Sequence, residues 1–302
     1  MINYLNLVIN EPRWGILVSF YYFLLAISSG TMIVALLPGF LGNPITDKVF
    51  KKASYVSLIA LLIVPIVLIA KLLQPMRFIF LFNPMYFNPL SPLAWGGLLL
   101  TAYGAVLVFF MYQRGWIGIK QSQTAMRETV AAGESGISGI PLGLFFLGLA
   151  VALLPPAELI VVHGKAFWRG DLLPVYFFTS ILAGAAVLAA LLSIYEEEAN
   201  IRFYTNIMII SITLSVFWII LRSISLTTGG TEEVLALKKW WSNSVFLTGE
   251  VLLGLIVPFV LLVRGGTKYV SVRIIIASVL AIVGVFAMRY VVIAIGTTAI
   301  LP

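Results

Sequence analysis

Apolar residues in this chain run in long blocks rather than in alternation or in one-sided stripes. Eight blocks reach about 20 residues, the length a helix needs to cross the hydrocarbon core of a bilayer. They cover residues 15–40, 54–73, 93–112, 140–162, 172–195, 203–227, 245–263 and 274–296. Turn residues fill the gaps. Pro38-Gly39 to Pro44 closes the first block, and Pro75, Pro84, Pro89 and Pro92 stiffen a hinge before the third. Gly133–Gly139, Gly229-Gly230 and Gly265-Gly266 mark later breaks, and Glu196–Glu198 ends the fifth block in water. The pattern predicts an all-α membrane protein of eight transmembrane helices, a single integral membrane domain over residues 1–302. An even number of spans returns both ends to one side.

Composition sharpens this. Apolar residues make up 61% before the 25 glycines are counted, and charged residues only 10%, against about 25% in a soluble domain. A water-soluble globule is excluded. With no cysteine there is no disulfide, no cysteine-ligated iron–sulfur cluster and no covalent c-type haem in this chain. The single histidine, His163, excludes a haem with two axial histidines and a His/Cys zinc site. A redox role therefore falls to a diffusible organic cofactor or to a partner subunit. The net charge of +7 suits anionic headgroups or an acidic partner. The basic residues are scattered over short loops, so nucleic acid is not an expected partner. The first apolar block is too long for a cleavable signal peptide and follows Glu11–Arg13, so none is expected.

Loop charges orient the chain. The side without the termini carries ten Lys and Arg: Lys48, Lys51, Lys52, Arg114, Lys120, Arg127, Arg202, Arg264, Lys268 and Arg273. The side with the termini carries six: Arg13, Arg77, Lys165, Arg169, Lys238 and Lys239. The bias puts the first side in the cytoplasm and both termini outside the cytoplasmic membrane. We call the terminal side the outer side below.

Ionisable groups inside spans are costly and mark function. Five occur here: Lys71, Glu158, Arg222, Glu250 and Arg289. All five fall in the outer half of their spans. Each has a plain alternative. Lys71 and Arg222 are placed to snorkel, Glu158 follows Pro155-Pro156 where its span is closing, and Glu250 with Arg289 fits a structural ion pair. His163 fits an interfacial position, and Asn10–Trp14 an interface anchor.

A polar cluster at that depth suits a quinone head group. The head needs donors and acceptors for two oxygens and aromatics for its ring, and Tyr21, Tyr22 and Trp95 are available. A carboxyl in apolar surroundings resists ionisation and can exchange protons near neutrality. Electrons from a quinol then leave through a cluster on a subunit docked at the outer face.

The same segments resemble the NrfD family, the membrane subunits of polysulfide reductases and related molybdopterin oxidoreductase complexes. Trp14-Gly15, Tyr21–Leu24 and Ser28–Gly30 resemble its first helix. Pro75–Phe78 and Ser91–Gly96 resemble its hinge. Phe167-Trp168, Leu173-Pro174, Ser180 and Gly184 resemble its fifth helix. Gly249-Glu250, Gly254 and Pro258 resemble its seventh, and Gly284, Met288–Tyr290 and Gly296 its eighth. The resemblance implies two four-helix bundles and a menaquinone-type site near the outer face. It also implies an iron–sulfur subunit and a molybdopterin catalytic subunit docked there, with sulfur or polysulfide as the leading terminal substrate. Glu250, Arg289 and Glu158 become the candidate proton-handling residues, with Tyr21, Tyr22, Trp95, Arg77, Lys71, Arg222 and His163 around the quinone. One departure stands out: Lys71-Leu72-Leu73-Gln74-Pro75 occupies the place of an Asp-Leu-Gly-Arg-Pro-like string.

Two other functions compete. A secondary transporter would place Glu250 and Arg289 at a midplane site, with Pro65 and Pro258 breaking helices. A passive anchor would need no quinone.

Overall fold

The computed structural model describes residues 15–42, 47–71, 92–117, 139–162, 165–194, 198–264 and 270–298. Nine helices lie among them: α1 (Ile16–Phe40), α2 (Asp47–Lys71), α3 (Pro92–Gln113), α4 (Ile140–Ile160), α5 (Leu172–Ile194), α6 (Glu198–Thr227), α7 (Thr231–Trp241), α8 (Val245–Val263) and α9 (Val270–Thr298). All but α7 are long and apolar enough to cross a membrane. The second helix begins at Asp47, several residues before the apolar block. Its first turns carry Lys48, Lys51 and Lys52, which stay helical because a span may project into the headgroup layer.

The helices form two bundles. In the first, α1 packs on α2 and α4, and α3 on α4 and α2. In the second, α5 packs on α6 and α9, and α8 on α9 and α6. The seam between bundles is α1 against α5 and α9, with α4 also against α5. This is the expected all-α architecture of two four-helix bundles.

Without water to drive them together, membrane helices associate by close packing, and small residues allow it. At the seam, a β-carbon on Gly30 would lie 1.9 Å from the backbone oxygen of Ser180, and one on Gly184 would lie 2.1 Å from the backbone of Gly30. The α8–α9 crossing repeats the device with Gly254 against Gly284. Hydrogen bonds supply the rest. Midway through the first bundle Ser28, Ser57 and Tyr103 bond one another across α1, α2 and α3, with Ser57 Oγ 2.7 Å from the Tyr103 hydroxyl.

At the end of the bundles away from the chain termini, Arg114 pairs with Asp47 at 3.2 Å, and Tyr55 donates to the Trp116 carbonyl at 2.6 Å. On the outer side, α7 lies between α6 and α8, where the sequence pattern suggested only a break. Glu232 and Glu233 stand in its first turn and Lys238 and Lys239 in its last, the arrangement that the helix dipole favours. Trp240 is buried and Trp241 exposed. Glu233 reaches Arg169 at 3.6 Å, tying α7 to the α4–α5 loop.

The first twelve residues of α8, Val245–Ile256, are wound as a π-helix before α-helical winding resumes at Val257. Pro258, just beyond, has no N–H to give to the carbonyl one turn back. Such winding is rare and often falls at functional sites.

Candidate functional site

Two groups of buried polar side chains lie at the outer end of the bundles. The first joins α1 to α4. Glu158 sits in the last turn of α4, just after Pro155-Pro156. Tyr22 donates its hydroxyl to Glu158 Oε2 at 3.1 Å, and the Tyr21 hydroxyl stands 3.5 Å from Oε1. Adjacent residues can both reach the carboxyl because their rings lie tilted, 5.0 Å between centroids. Gly96 of α3 completes the cradle: a β-carbon there would sit 3.0 Å from Glu158 Oε1. Trp95 next to it is half exposed on the outside of the bundle. Glu158 keeps 8% of its surface accessible, against 3% for Tyr21 and 1% for Tyr22, so the whole group is buried.

The second group fills the outer end of the other bundle and is closed. Arg222 of α6 is fully buried. It donates to Asp171 Oδ1 and to the Phe167 carbonyl, both at 2.6 Å, and lies over the rings of Phe167 and Trp240. Arg289 of α9 donates to the Tyr176 carbonyl and the Ser180 hydroxyl, each at 3.0 Å, with its guanidinium 3.7 Å above the Tyr176 ring. Glu250 lies within the π-helical part of α8, within electrostatic range of both arginines. Neither of its carboxyl oxygens has a hydrogen-bond partner among the described residues, nor do Arg222 Nε or Arg289 Nε.

One contact connects the groups: Tyr22 and Tyr176 meet edge to face, with ring centroids 6.3 Å apart. The Gly30–Gly184 crossing holds α1 and α5 close enough for this.

Among the sequence-derived candidates, Tyr21, Tyr22 and Glu158 touch directly, and Glu250, Arg289 and Arg222 share the closed group. Glu250 and Arg289 do not form the ion pair that their spacing allowed; Arg289 is held by α5 instead. Trp95 flanks the first group. Arg77, His163, the Lys71 side chain, the Pro75–Phe78 hinge and the Asn10–Trp14 segment lie outside the described residues. Asp171 and Tyr176 were not singled out from the sequence, and Ser180 only as part of the resemblance to the fifth helix. Asp171 carried a signal, as an acid at a span edge two residues from Arg169. Tyr176 carried none, being one aromatic in an apolar run.

The arrangement offers a buried carboxyl that two phenols approach, and in the other bundle a second carboxyl whose oxygens have no hydrogen-bond partner among the described residues. The family described as "Polysulphide reductase, NrfD" matches residues 7–301, nearly the whole chain. No curated protein matches it.

Proposed function

The chain belongs to the NrfD polysulphide reductase family, and we propose on that premise that it is the quinone-reacting membrane subunit of a respiratory oxidoreductase. It is a multi-pass membrane protein of a family of polysulfide reductase-type membrane subunits. The finer reading is that it exchanges electrons with an iron–sulfur subunit docked on its outer face. That subunit in turn serves a molybdopterin catalytic subunit, with sulfur or polysulfide as its terminal substrate. Both termini and the docking face lie outside the cytoplasmic membrane on this reading.

The observation that carries it is the Tyr21–Tyr22–Glu158 group. A lipid-dissolved head group needs polar partners within the membrane. Glu158 supplies an acceptor or a proton, the tyrosines supply hydroxyls, and Gly96 lets α3 close against the carboxyl. Trp95 offers an aromatic flank. A bound menaquinone-type quinol would supply two electrons and two protons at this point. Glu158 takes up a proton there. Glu250, steadied by the positive charge of Arg289, holds another. Arg222, Lys71, Arg77 and His163 complete the proposed surround on the outer side; Arg222 does so while anchored to Asp171.

Isolation of the intact complex with its partner subunits tests this. It should retain extractable quinone, lose it to a head-group inhibitor, and pass electrons from a quinol analogue to the partner's clusters. A fully assembled complex that holds no quinone and takes no electrons from quinol would overturn the reading.

A further inference from the structure

We propose that the first turns of α2 bind an anionic phospholipid, with its headgroup held by Lys48 and Lys51 and its acyl chain lying along the face of α2 beneath them. This site is separate from the quinone reading above and stands without it.

The length of α2 sets the depth of the site. Its 25 residues make about 37 Å of helix at a rise of 1.5 Å per residue, while the hydrocarbon core of a bilayer is about 30 Å thick. The surplus is more than one turn. The apolar run that fills the core begins only after Lys52. Lys48, Lys51 and Lys52 therefore stand at headgroup depth.

These lysines cost the helix stability. Residues three and four apart are neighbours on one face, so the like charges repel. Lys48 also stands in the first turn, where the helix dipole disfavours a cation. The acid of that turn, Asp47, is engaged by Arg114 at 3.2 Å. Among the described residues at this end of the first bundle, four cations thus face one carboxylate. A local choice that runs against the preference of its own element points to a use beyond folding. Orientation of the chain asks only for basic residues on the correct side, and does not ask for them to share one helix face. The other described basic residues at this end stand singly on their helices, as Arg202, Arg264 and Arg273 do. Arg273 is moreover turned to the Arg264 carbonyl at 2.6 Å.

The face below the lysines matches the rest of a lipid. Lys51, Tyr55, Ile59, Leu62 and Ile66 succeed one another at steps of three and four, and so lie on one face of α2. Lys48 and Lys51 are exposed at its top. Tyr55 is half-buried, and its hydroxyl is fixed on the Trp116 carbonyl, an aromatic pair of the kind that marks the membrane–water boundary. Beneath it Ile59, Leu62 and Ile66 are among the most exposed apolar side chains of the protein, at 58%, 60% and 65%. From the surface inward the face presents ammonium, phenol and branched aliphatics. A phospholipid presents phosphate, glycerol ester and acyl chain in the same order. The excess positive charge selects a lipid with net negative charge over a zwitterionic one.

The double variant Lys48→Gln with Lys51→Gln tests this in the intact complex. Parent and variant are placed in nanodiscs of equal phosphatidylglycerol and phosphatidylcholine, and the lipids retained on release are read by native mass spectrometry. The parent should retain phosphatidylglycerol in preference. That preference should fall roughly 25-fold in the variant, about fivefold for each lysine. Lys48→Arg with Lys51→Arg should keep it. Salt at about 1 M, where the screening length is about 3 Å, should abolish it in the parent. A Gln variant as selective as the parent would overturn the site, and so would a parent that retains both lipids equally. Should the Gln variant fail to insert, the parent alone decides. Amine labelling of Lys48 and Lys51 should slow in phosphatidylglycerol nanodiscs, relative to phosphatidylcholine ones, by more than labelling of Lys238 on α7. Equal slowing at all three lysines would show general surface enrichment of lipid and overturn the site.

Discussion

The hydroxyl of Tyr22 lies 3.1 Å from Oε2 of Glu158, a bond between residues 136 positions apart that ties α1 to α4 at the outer end of the first bundle. A hydrogen bond of this kind between transmembrane helices contributes only about 0.6–2 kcal/mol. A charged side chain costs about 2.5–3.5 kcal/mol at the centre of a span on insertion scales, and Glu158 lies in the last turn of its helix. The pair is therefore a poor device for stability alone and a reasonable one for proton exchange.

Glu158→Gln keeps the acceptor oxygen and the volume but cannot take a proton. We expect quinol-driven turnover to fall roughly 10²–10⁴-fold, while artificial donors still reduce the partner's clusters. Stopped-flow reduction of those clusters by a quinol analogue measures this. An unchanged rate would remove Glu158 from the chemistry.

The bundle seam depends on two glycines. Gly30→Ala sets a methyl 1.9 Å from the Ser180 carbonyl oxygen, so the helices must part. We expect destabilisation at or above the roughly 1–3 kcal/mol usual for overpacking, read as a lower thermal midpoint in detergent. Gly143→Ala in α4 is the control: nothing lies within 4 Å of that position, and the change should be neutral or stabilising by up to about 1 kcal/mol. Equal midpoints for both variants would contradict the close crossing.

Arg222 has a fully buried side chain, and Asp171 is the carboxylate it meets, 16% exposed. Removing one partner of such a pair leaves a charge buried without compensation. Asp171→Ala should therefore cost about 3 kcal/mol, the lower end for broken buried pairs because of that exposure. The double variant Asp171→Leu with Arg222→Met should recover most of the loss. If the double variant falls as far as the sum of the singles, the pair is not acting as a unit.

Much of this was legible in the sequence, and the limits have physical causes. Block length alone gave eight helices, because only span-length apolar runs are stable in lipid. The depth of Glu158, Glu250, Arg222 and Arg289 followed by counting along each block. The partners did not follow. An all-apolar helix has no stripe to show which way a residue faces, so nothing indicated that Arg289 would turn to Tyr176 and Ser180 rather than to Glu250. The π winding around Glu250 was equally hidden, since a run of Val, Leu, Gly and Ile reads alike at either pitch. Helix α7 was hidden by its length, being half a span between two breaks; its acidic first turn and basic last turn were the available signal.

The absence of cysteine makes topology directly testable. Lys238→Cys on exposed α7 should react with a membrane-impermeant maleimide in intact cells, and Lys51→Cys in α2 only after permeabilisation. The reverse pattern would invert the orientation drawn from the ten-to-six distribution of Lys and Arg.

Glu250 separates a structural from a functional carboxyl more cleanly than the sequence suggested. Had it paired with Arg289, its loss would leave an arginine buried without compensation, and assembly would suffer. In the structure Arg289 is held by the Tyr176 carbonyl and the Ser180 hydroxyl, and neither Glu250 oxygen bonds to a protein group among the described residues. Glu250→Gln should therefore leave assembly and thermal midpoint unchanged. Glu250→Leu should match or exceed the parent in stability, because replacing a buried polar group that lacks a partner with an apolar one of similar shape is neutral or stabilising. Both should lower quinol-driven turnover by roughly 10²–10⁴-fold, the loss expected when a proton acceptor is removed. The comparison of midpoint with turnover across the two variants decides the matter. Loss of assembly in Glu250→Gln would return Glu250 to a structural role, and near-parental turnover in an assembled variant would end its role in proton handling.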